Sequence, residues 1–419
     1  MSQLAQPGAD AHQAADLRPA LTILTGFSPC AVLAAADMLI EADPAVIVVA
    51  HDLTGLADGG RLHRIVRDGR GVIEDAHVTL EHGCVSCTLR EDVLPALVRL
   101  ARTHPGRDLV LALPPAVEPE SVASVCSWCL VEGRPVTDAV RLDSVVAVCD
   151  AETLLETLDS PDDLADRSLQ AADDDTRGVA EVAARQIEYA DTVVLWAPGS
   201  EPDFEHTRAS VLLQRLNPWA RHYVLDLAEP AWLSHRLRRT DRFDPNGPDL
   251  YGRGLEGFAV GVHEPEPDCG VVAAVYRARR PLHPERFHAA LPTLVQRTLR
   301  GRGHLWLASR PEAAIAWESG GGGVSMGDLG RWLAATPDEE WDEVGAERRV
   351  NADLHWDGDF GDREIHLAFV GLHCDADELA AVLDSCLLTD GELAAGEDAW
   401  RGYADPFAGC FDIEEGNRE

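Results

Sequence analysis

Two thiols three residues apart stand behind a glycine in Glu81-His82-Gly83-Cys84-Val85-Ser86-Cys87-Thr88-Leu89-Arg90. That spacing lets Cys84 and Cys87 share one metal ion or close one disulfide, so metal or redox handling is the first chemistry the sequence suggests. A thiol at a helix N-terminus is expected to have a lowered pKa, which favours zinc ligation or oxidation over packing as an inert small hydrophobe. Soft thiolates also select zinc over magnesium or calcium. Two thiolates leave zinc short of four ligands, so further donors are needed. His82 is adjacent, and Cys126-Ser127-Trp128-Cys129 holds a second pair at the same spacing that would complete a four-sulfur set. The competing and preferred reading of Cys126 and Cys129 is a helix face buried against a sheet.

The next feature is an absence. None of the 419 residues is a lysine, so all 36 basic residues are arginines. A phosphate-binding loop needs glycines for close backbone approach, a lysine for the β and γ phosphates and a hydroxyl for magnesium. Thr25-Gly26-Phe27 opens such a loop, but Ser28-Pro29-Cys30-Ala31-Val32 lacks the later glycines, the lysine and the hydroxyl. Pro29 also removes one backbone donor. Any residual nucleotide contact would centre on Gly26 and the neighbouring amides at a helix N-terminus. There is no nucleophile elbow, and the acidic residues fall mainly in loops and tails, so no catalytic residue is assigned.

The elements that must position these residues follow from the apolar runs. Near-continuous Val, Ile and Leu at residues 21–25, 45–50, 108–113, 144–149, 192–197 and 223–227 predict strands buried on both faces. Helical periodicity at 30–41, 91–102, 119–131 and 179–189 supplies the covering layers. The fold class expected is α/β, a doubly wound, mostly parallel sheet over residues 19–233, after a disordered leader at 1–18. Residues 159–177 read as a mobile acidic insertion and 234–268 as a linker rich in Pro, Gly and Asp. A small α+β domain over 269–389 follows, with the glycine run 320–323 as a loop tip and 390–419 as an acidic tail. No run is long enough to span a bilayer and the start of the chain is unlike a secretory signal, so a cytoplasmic protein is expected. The net charge of −36 disfavours bare nucleic acid and anionic membranes, and favours basic proteins or metal cations as partners.

The chain resembles the CobW-type metallochaperone GTPases, a family with a P-loop-NTPase-like first domain. Gly83, Cys84, Cys87, Thr88, Leu89 and Arg90 match the family's Gly-Cys-x-Cys-Cys-Thr-Leu-Arg, with Ser86 in place of the middle cysteine. Further matches are Arg185-Gln186-Ile187-Glu188-Tyr189-Ala190-Asp191, the segment from Tyr276 to Phe287, and Gly361-Asp362-Arg363-Glu364. The resemblance implies zinc as the metal and would imply GTP, but the nucleotide motifs are lost in three places. Besides the first loop, Ala112-Leu113-Pro114-Pro115 replaces the acidic and hydroxyl residues near magnesium, and Trp196-Ala197-Pro198-Gly199 replaces the guanine reader. GTP is therefore a doubtful cofactor. With its eroded loop and acidic, arginine-rich composition, the chain is similar to the actinobacterial subgroup that recruits a hibernation-promoting factor to ribosomes during zinc starvation. That resemblance implies the ribosome and a hibernation-promoting factor as partners and a pseudo-GTPase, zinc-homeostasis role. The alternative is a GTP-dependent zinc metallochaperone.

Overall fold

The structure, a computed structural model, describes residues 16, 18–57, 59–172, 175–197, 203–225 and 230–410. Most of the expected leader, residues 1–15 and 17, and residues 411–419 of the expected tail lie outside them.

The apolar runs form the middle of an eight-stranded sheet. Its order is Arg221–Val224, Thr192–Trp196, Arg141–Asp150, Ala20–Thr25, Leu109–Ala112, Ile47–Asp52, Arg61–Asp68 and Gly71–Thr79. The first six strands run parallel and the last two antiparallel. Alternate residues point to opposite faces. Leu24, Val48, Val110 and Val148 meet the helices Pro29–Ala42 and Pro230–Leu237 on one face. Ile23, Val49, Leu111 and Val145 meet Leu94–Thr103, Pro119–Trp128, Val179–Tyr189 and Phe204–Leu216 on the other. This is the doubly wound arrangement expected.

The hairpin of Arg61–Asp68 and Gly71–Thr79 was not expected from the sequence. Its inward row is Leu62, Arg64, Val66 and Asp68, so half of the face that should read apolar is charged. Arg64 pairs with Asp92, and Asp68 with Arg107 at 2.6 Å, which satisfies the charges but hides the strand period.

The second domain is a six-stranded antiparallel sheet in the order Glu264–Asp268, Val271–Ala278, Ile365–Leu372, Arg300–Leu305, Ala313–Gly320 and Gly323–Arg331. Pro284–Arg297 and Ala376–Cys386 cover one face, where Phe287, Leu294, Leu379 and Leu383 pack on Leu305, Leu367 and Phe369. The glycine run is the tip of a hairpin: Gly321 and Gly322 both have positive φ, 57° and 83°, as a tight two-residue turn requires. Residues 390–410 differ from the acidic tail expected. They form the helices Asp390–Ala395 and Glu397–Trp400, and bury Trp400 and Phe407 in the core of the second domain. The expected linker is also largely docked. Glu264–Asp268 joins the second sheet, Leu255 is buried, and the amides of Thr240 and Asp241 donate to the Asp143 carboxylate at 3.0 Å. The expected insertion at 159–177 buries Leu164, with Asp163 bridging to Gly178.

The two domains share one interior. Val271, Ala273, Leu299 and Val370 of the second sheet belong to the same core cluster as the first sheet. Between them lies a buried ion network. Arg300 donates to Glu188 at 2.8 and 2.7 Å and to Glu318 at 2.8 Å, Arg302 pairs with Glu188 at 2.7 Å, and Arg185 donates to Glu318 at 3.1 Å. Among the described residues, no helix is long and apolar enough to cross a membrane.

Candidate metal site and the joint where a phosphate loop would lie

The hairpin places the cysteine loop. As Gly71–Thr79 ends, the Leu80 amide donates to the Gly60 carbonyl at 2.8 Å, and the chain turns through residues 81–83. A Cβ on Gly83 would lie 2.3 Å from the Leu56 carbonyl oxygen, so only glycine lets the loop lie against that backbone. Cys84 follows in extended conformation and caps the next helix: its Sγ accepts the Cys87 amide at 3.3 Å, and Thr88 Oγ1 donates to its carbonyl at 2.9 Å. The cap sets the two thiols on one side of the first turn. Cys84 is half-buried, whereas Cys87 is buried in a small cluster with Leu56, Leu62 and Leu80.

The side-chain hydrogen bond with Cys84, and then burial, push the Cys87 thiol up from its ordinary value. This is the reverse of the lowering expected at a helix N-terminus. A coordinated cation would overcome it, since ligation deprotonates a thiol outright. The pair fits a soft cation and supplies half of a tetrahedral set.

The other sequence candidates lie apart. Cys126 is fully buried in the core of the first domain, with burial pushing its thiol up to about 12, and Cys129 closes its helix in the same cluster. Cys87 belongs to a different cluster, and His82 is exposed. Among the described residues, no group of three or more close metal donors contains a cysteine. The structure thus brings neither the second pair nor His82 into a three-donor set with Cys84 and Cys87.

Sequence reasoning missed a donor group on the hairpin. His63 and His77 are directly opposed across the strands, their rings stacked at 4.3 Å, and His63 Nε2 is 2.7 Å from Asp75 Oδ1. Asp75-Ala76-His77 has the two-residue spacing that sets donors on one strand face, a signal that only a strand assignment makes readable. Asp52 opposes His63 on the other side, and both line a cavity of about 350 Å³. That cavity lies beside the first helix at the carboxyl ends of Ile47–Asp52 and Leu109–Ala112, where open α/β sheets bind ligands. Its walls are mainly apolar, including Val32, Leu33, Leu113 and Pro115, and its titratable groups are His51, Asp52 and His63. His51 Nε2 is 2.9 Å from Asp92. Burial raises the Asp92 pKa, but hydrogen bonds from His51 and Arg64 outweigh it and hold the carboxyl below its usual range.

Where a phosphate loop would lie there is only a short joint. Gly26, Phe27 and Ser28 alone connect the strand Ala20–Thr25 to the helix starting at Pro29, against the roughly eight residues of a phosphate-binding loop. Gly26 is pressed onto the next strand, where a Cβ would lie 2.2 Å from the Val148 carbonyl oxygen. Ser28 caps the helix and donates through Oγ to Asp150 Oδ2 at 3.0 Å. A carboxylate thus stands at the helix pole that would attract phosphate. At the two other eroded motifs, Pro114 and Pro115 line the apolar cavity, and Ala197 follows the strand Thr192–Trp196, with Pro198 and Gly199 outside the described residues.

The remaining family-like segments work as clamps. Gln186 Nε2 donates to the Pro115 carbonyl at 2.7 Å, Arg185 and Glu188 enter the interdomain ion network, and Asp362 accepts the amides of Leu333 and Ala334 at 2.8 Å.

A doubly wound domain with a thiol pair after its hairpin, clamped to a small antiparallel-sheet domain, defines a two-domain class of nucleotide-binding-type folds. The chain belongs to the CobW family. Residues 44–197 match the CobW/HypB/UreG nucleotide-binding domain, and residues 271–387 match the cobalamin synthesis protein cobW C-terminal domain. The chain is 37% identical over 380 residues, 87% of each chain, to the zinc chaperone Rv0106 of Mycobacterium tuberculosis. It is 28% identical over 348 residues to zinc-regulated GTPase metalloprotein activator 1 of Dictyostelium discoideum, covering 81% of this chain and 72% of that one. A solved structure, the Zn(II)-bound YjiA GTPase from E. coli, aligns at 14% identity over 88% of this chain and 99% of that chain, with a TM-score of 0.34.

Proposed function

We propose that this chain is a zinc-responsive, non-hydrolysing adaptor of the CobW family that brings a hibernation-promoting factor to ribosomes when zinc is scarce. The observation that carries the non-hydrolysing part is the joint at Gly26, Phe27 and Ser28, too short to cradle phosphates and closed electrostatically by Asp150. With no lysine in the chain, no side chain can take the P-loop lysine's place as a compact cation. The zinc response is assigned to Cys84 and Cys87, and the names of two relatives, a zinc chaperone and a zinc-regulated activator, support that metal. In this role zinc is a ligand that shifts conformation rather than a Lewis acid. The partners rest on the resemblance to the hibernation-linked subgroup, and the charge of −36 suits a basic protein better than bare RNA.

The test is co-sedimentation with ribosomes from chelator-treated cells, repeated after zinc is restored, with the wild type beside Cys84→Ser/Cys87→Ser. Association that follows zinc status in the wild type and loses that dependence in the variant is the expected result. No association in either condition would remove the ribosome role. The second reading, a GTP-dependent zinc metallochaperone, is favoured by the word GTPase in one relative's name. Saturable, magnesium-dependent GTP binding by the purified chain would establish it over the adaptor.

A further inference from the structure

The second domain holds donors that the reading above leaves unused. His304 on Arg300–Leu305 stands directly opposite His366 on Ile365–Leu372, and Glu364 lies two residues before His366 on the same face. The two rings meet edge to face with centroids 5.7 Å apart, and donor atoms of all three residues lie within 4.8 Å of one another. His304 is fully buried and His366 nearly so. Neither ring nitrogen of His304 has a hydrogen-bond partner. A neutral imidazole offers one donor and one acceptor, and leaving both unmet in the interior is costly.

The spacing says what would satisfy them. His304 Nε2 stops 3.7 Å from Glu364 Oε1, within ion-pair range if the ring is protonated but too far for a hydrogen bond. It is close to the roughly 3.4 Å that separates two donors about 2.1 Å from one tetrahedral ion. The other oxygen of Glu364 is held from outside, 3.4 Å from Arg279 Nη2, which also donates to the His355 carbonyl at 2.7 Å. Such an outer partner is what orients a ligating carboxylate. Gly254, in the segment joining the domains, lies against the His304 ring: a Cβ there would lie 2.7 Å from His304 Nδ1. Glu364 keeps 14% of its side chain exposed, which puts one edge of the cluster against solvent.

We infer that His304, His366 and Glu364 form a zinc-class cation site in the second domain, with three protein ligands and a fourth position for water. Imidazole and carboxylate donors in this number suit zinc rather than calcium or magnesium. The site is separate from Cys84 and Cys87 and does not depend on the adaptor reading. An ion there ties two neighbouring strands together.

The test uses the full-length protein carrying Cys84→Ser, Cys87→Ser, His63→Ala and His77→Ala, which removes the thiol pair and the hairpin histidines. Zinc is titrated against a chromophoric chelator, and cobalt(II) is added separately as a spectroscopic probe. About one equivalent of zinc is expected to remain, and cobalt should give visible ligand-field bands without thiolate charge transfer. Adding His366→Ala or Glu364→Gln should weaken zinc binding by roughly 100-fold or more. Glu364→Gln keeps the shape of a partly exposed side chain, so it decides the matter if the histidine variant does not fold. Loss of all zinc from the four-substitution parent, or undiminished binding in Glu364→Gln, would overturn the site.

Discussion

Replacing Glu188 by glutamine removes one charge from a buried place. Glu188 is 1% exposed, accepts two hydrogen bonds from Arg300 at 2.8 and 2.7 Å, and pairs with Arg302 at 2.7 Å. Glu318, the neighbouring carboxylate, is already shared by Arg300 and Arg185. Glutamine has nearly the same shape, so no cavity opens, but Arg300 and Arg302 are left with Glu318 as the remaining buried carboxylate, which Arg185 shares while also pairing with Glu181 and Glu118. Removing one partner of a buried pair costs about 3–5 kcal/mol, because the other charge stays desolvated. With an unfolding entropy of about 2.1 cal/mol/K per residue, a chain of 419 residues has about 0.9 kcal/mol/K in all. The melting midpoint should then fall by about 3–6 °C, measured by calorimetry at constant pH and salt. The double variant Glu188→Met/Arg300→Met should lose less than the single one, since it buries fewer unpaired charges. A shift below about 1 °C in Glu188→Gln would mean that water or a rearranged partner reaches the network, and the reasoning from burial would be wrong.

Two further outcomes are expected. Gly83→Ala forces a Cβ toward the Leu56 carbonyl, so it should destabilise the first domain by about 1–3 kcal/mol and weaken zinc binding to the thiol pair, read by denaturant titration and chelator competition. Burial, with Asp249 and Glu118 nearby, pushes the Glu120 carboxyl up to about 7 from 4.5. The folded chain therefore holds a proton that the unfolded chain releases. The stability this contributes is complete below about pH 4.5 and is lost as pH rises through about 7, by up to ~3 kcal/mol. Glu120→Gln should flatten that slope in a series of melting curves between pH 5 and 7, and an unchanged slope would assign it to other groups.

The parallel core was readable because its strands are apolar on both faces, and the helix Val179–Tyr189 fell where its periodicity placed it. The hairpin at 61–79 was not, because Arg64 and Asp68 occupy inward positions and are neutralised by partners distant in sequence. The segment 390–410 read as solvated because acidic residues outnumber the three aromatics, Trp400, Tyr403 and Phe407, that fix it. The motif Gly83 to Arg90 pointed to the thiol pair, and the structure adds the reason for its glycine. The histidine groups were hidden for a different reason. His304 and His366 are neighbours only through strand register, and in the sequence His366 reads like His355 and His373, one of several scattered histidines. The raised pKa of Cys87 was equally out of reach, since it depends on the contact with Cys84 and on how deeply the loop is packed.

The short joint between Thr25 and Pro29 has a consequence for time rather than space. A hydrolysed phosphate gives a protein a clock, because bond cleavage makes one direction of a cycle irreversible. On the reading proposed here, a chain whose helix pole is already occupied by Ser28 and Asp150 has no such step to drive it. Its conformations can then be populated only in proportion to what is bound. It would follow the free metal concentration up and down without memory, as a gauge does, and could not ratchet cargo against a gradient.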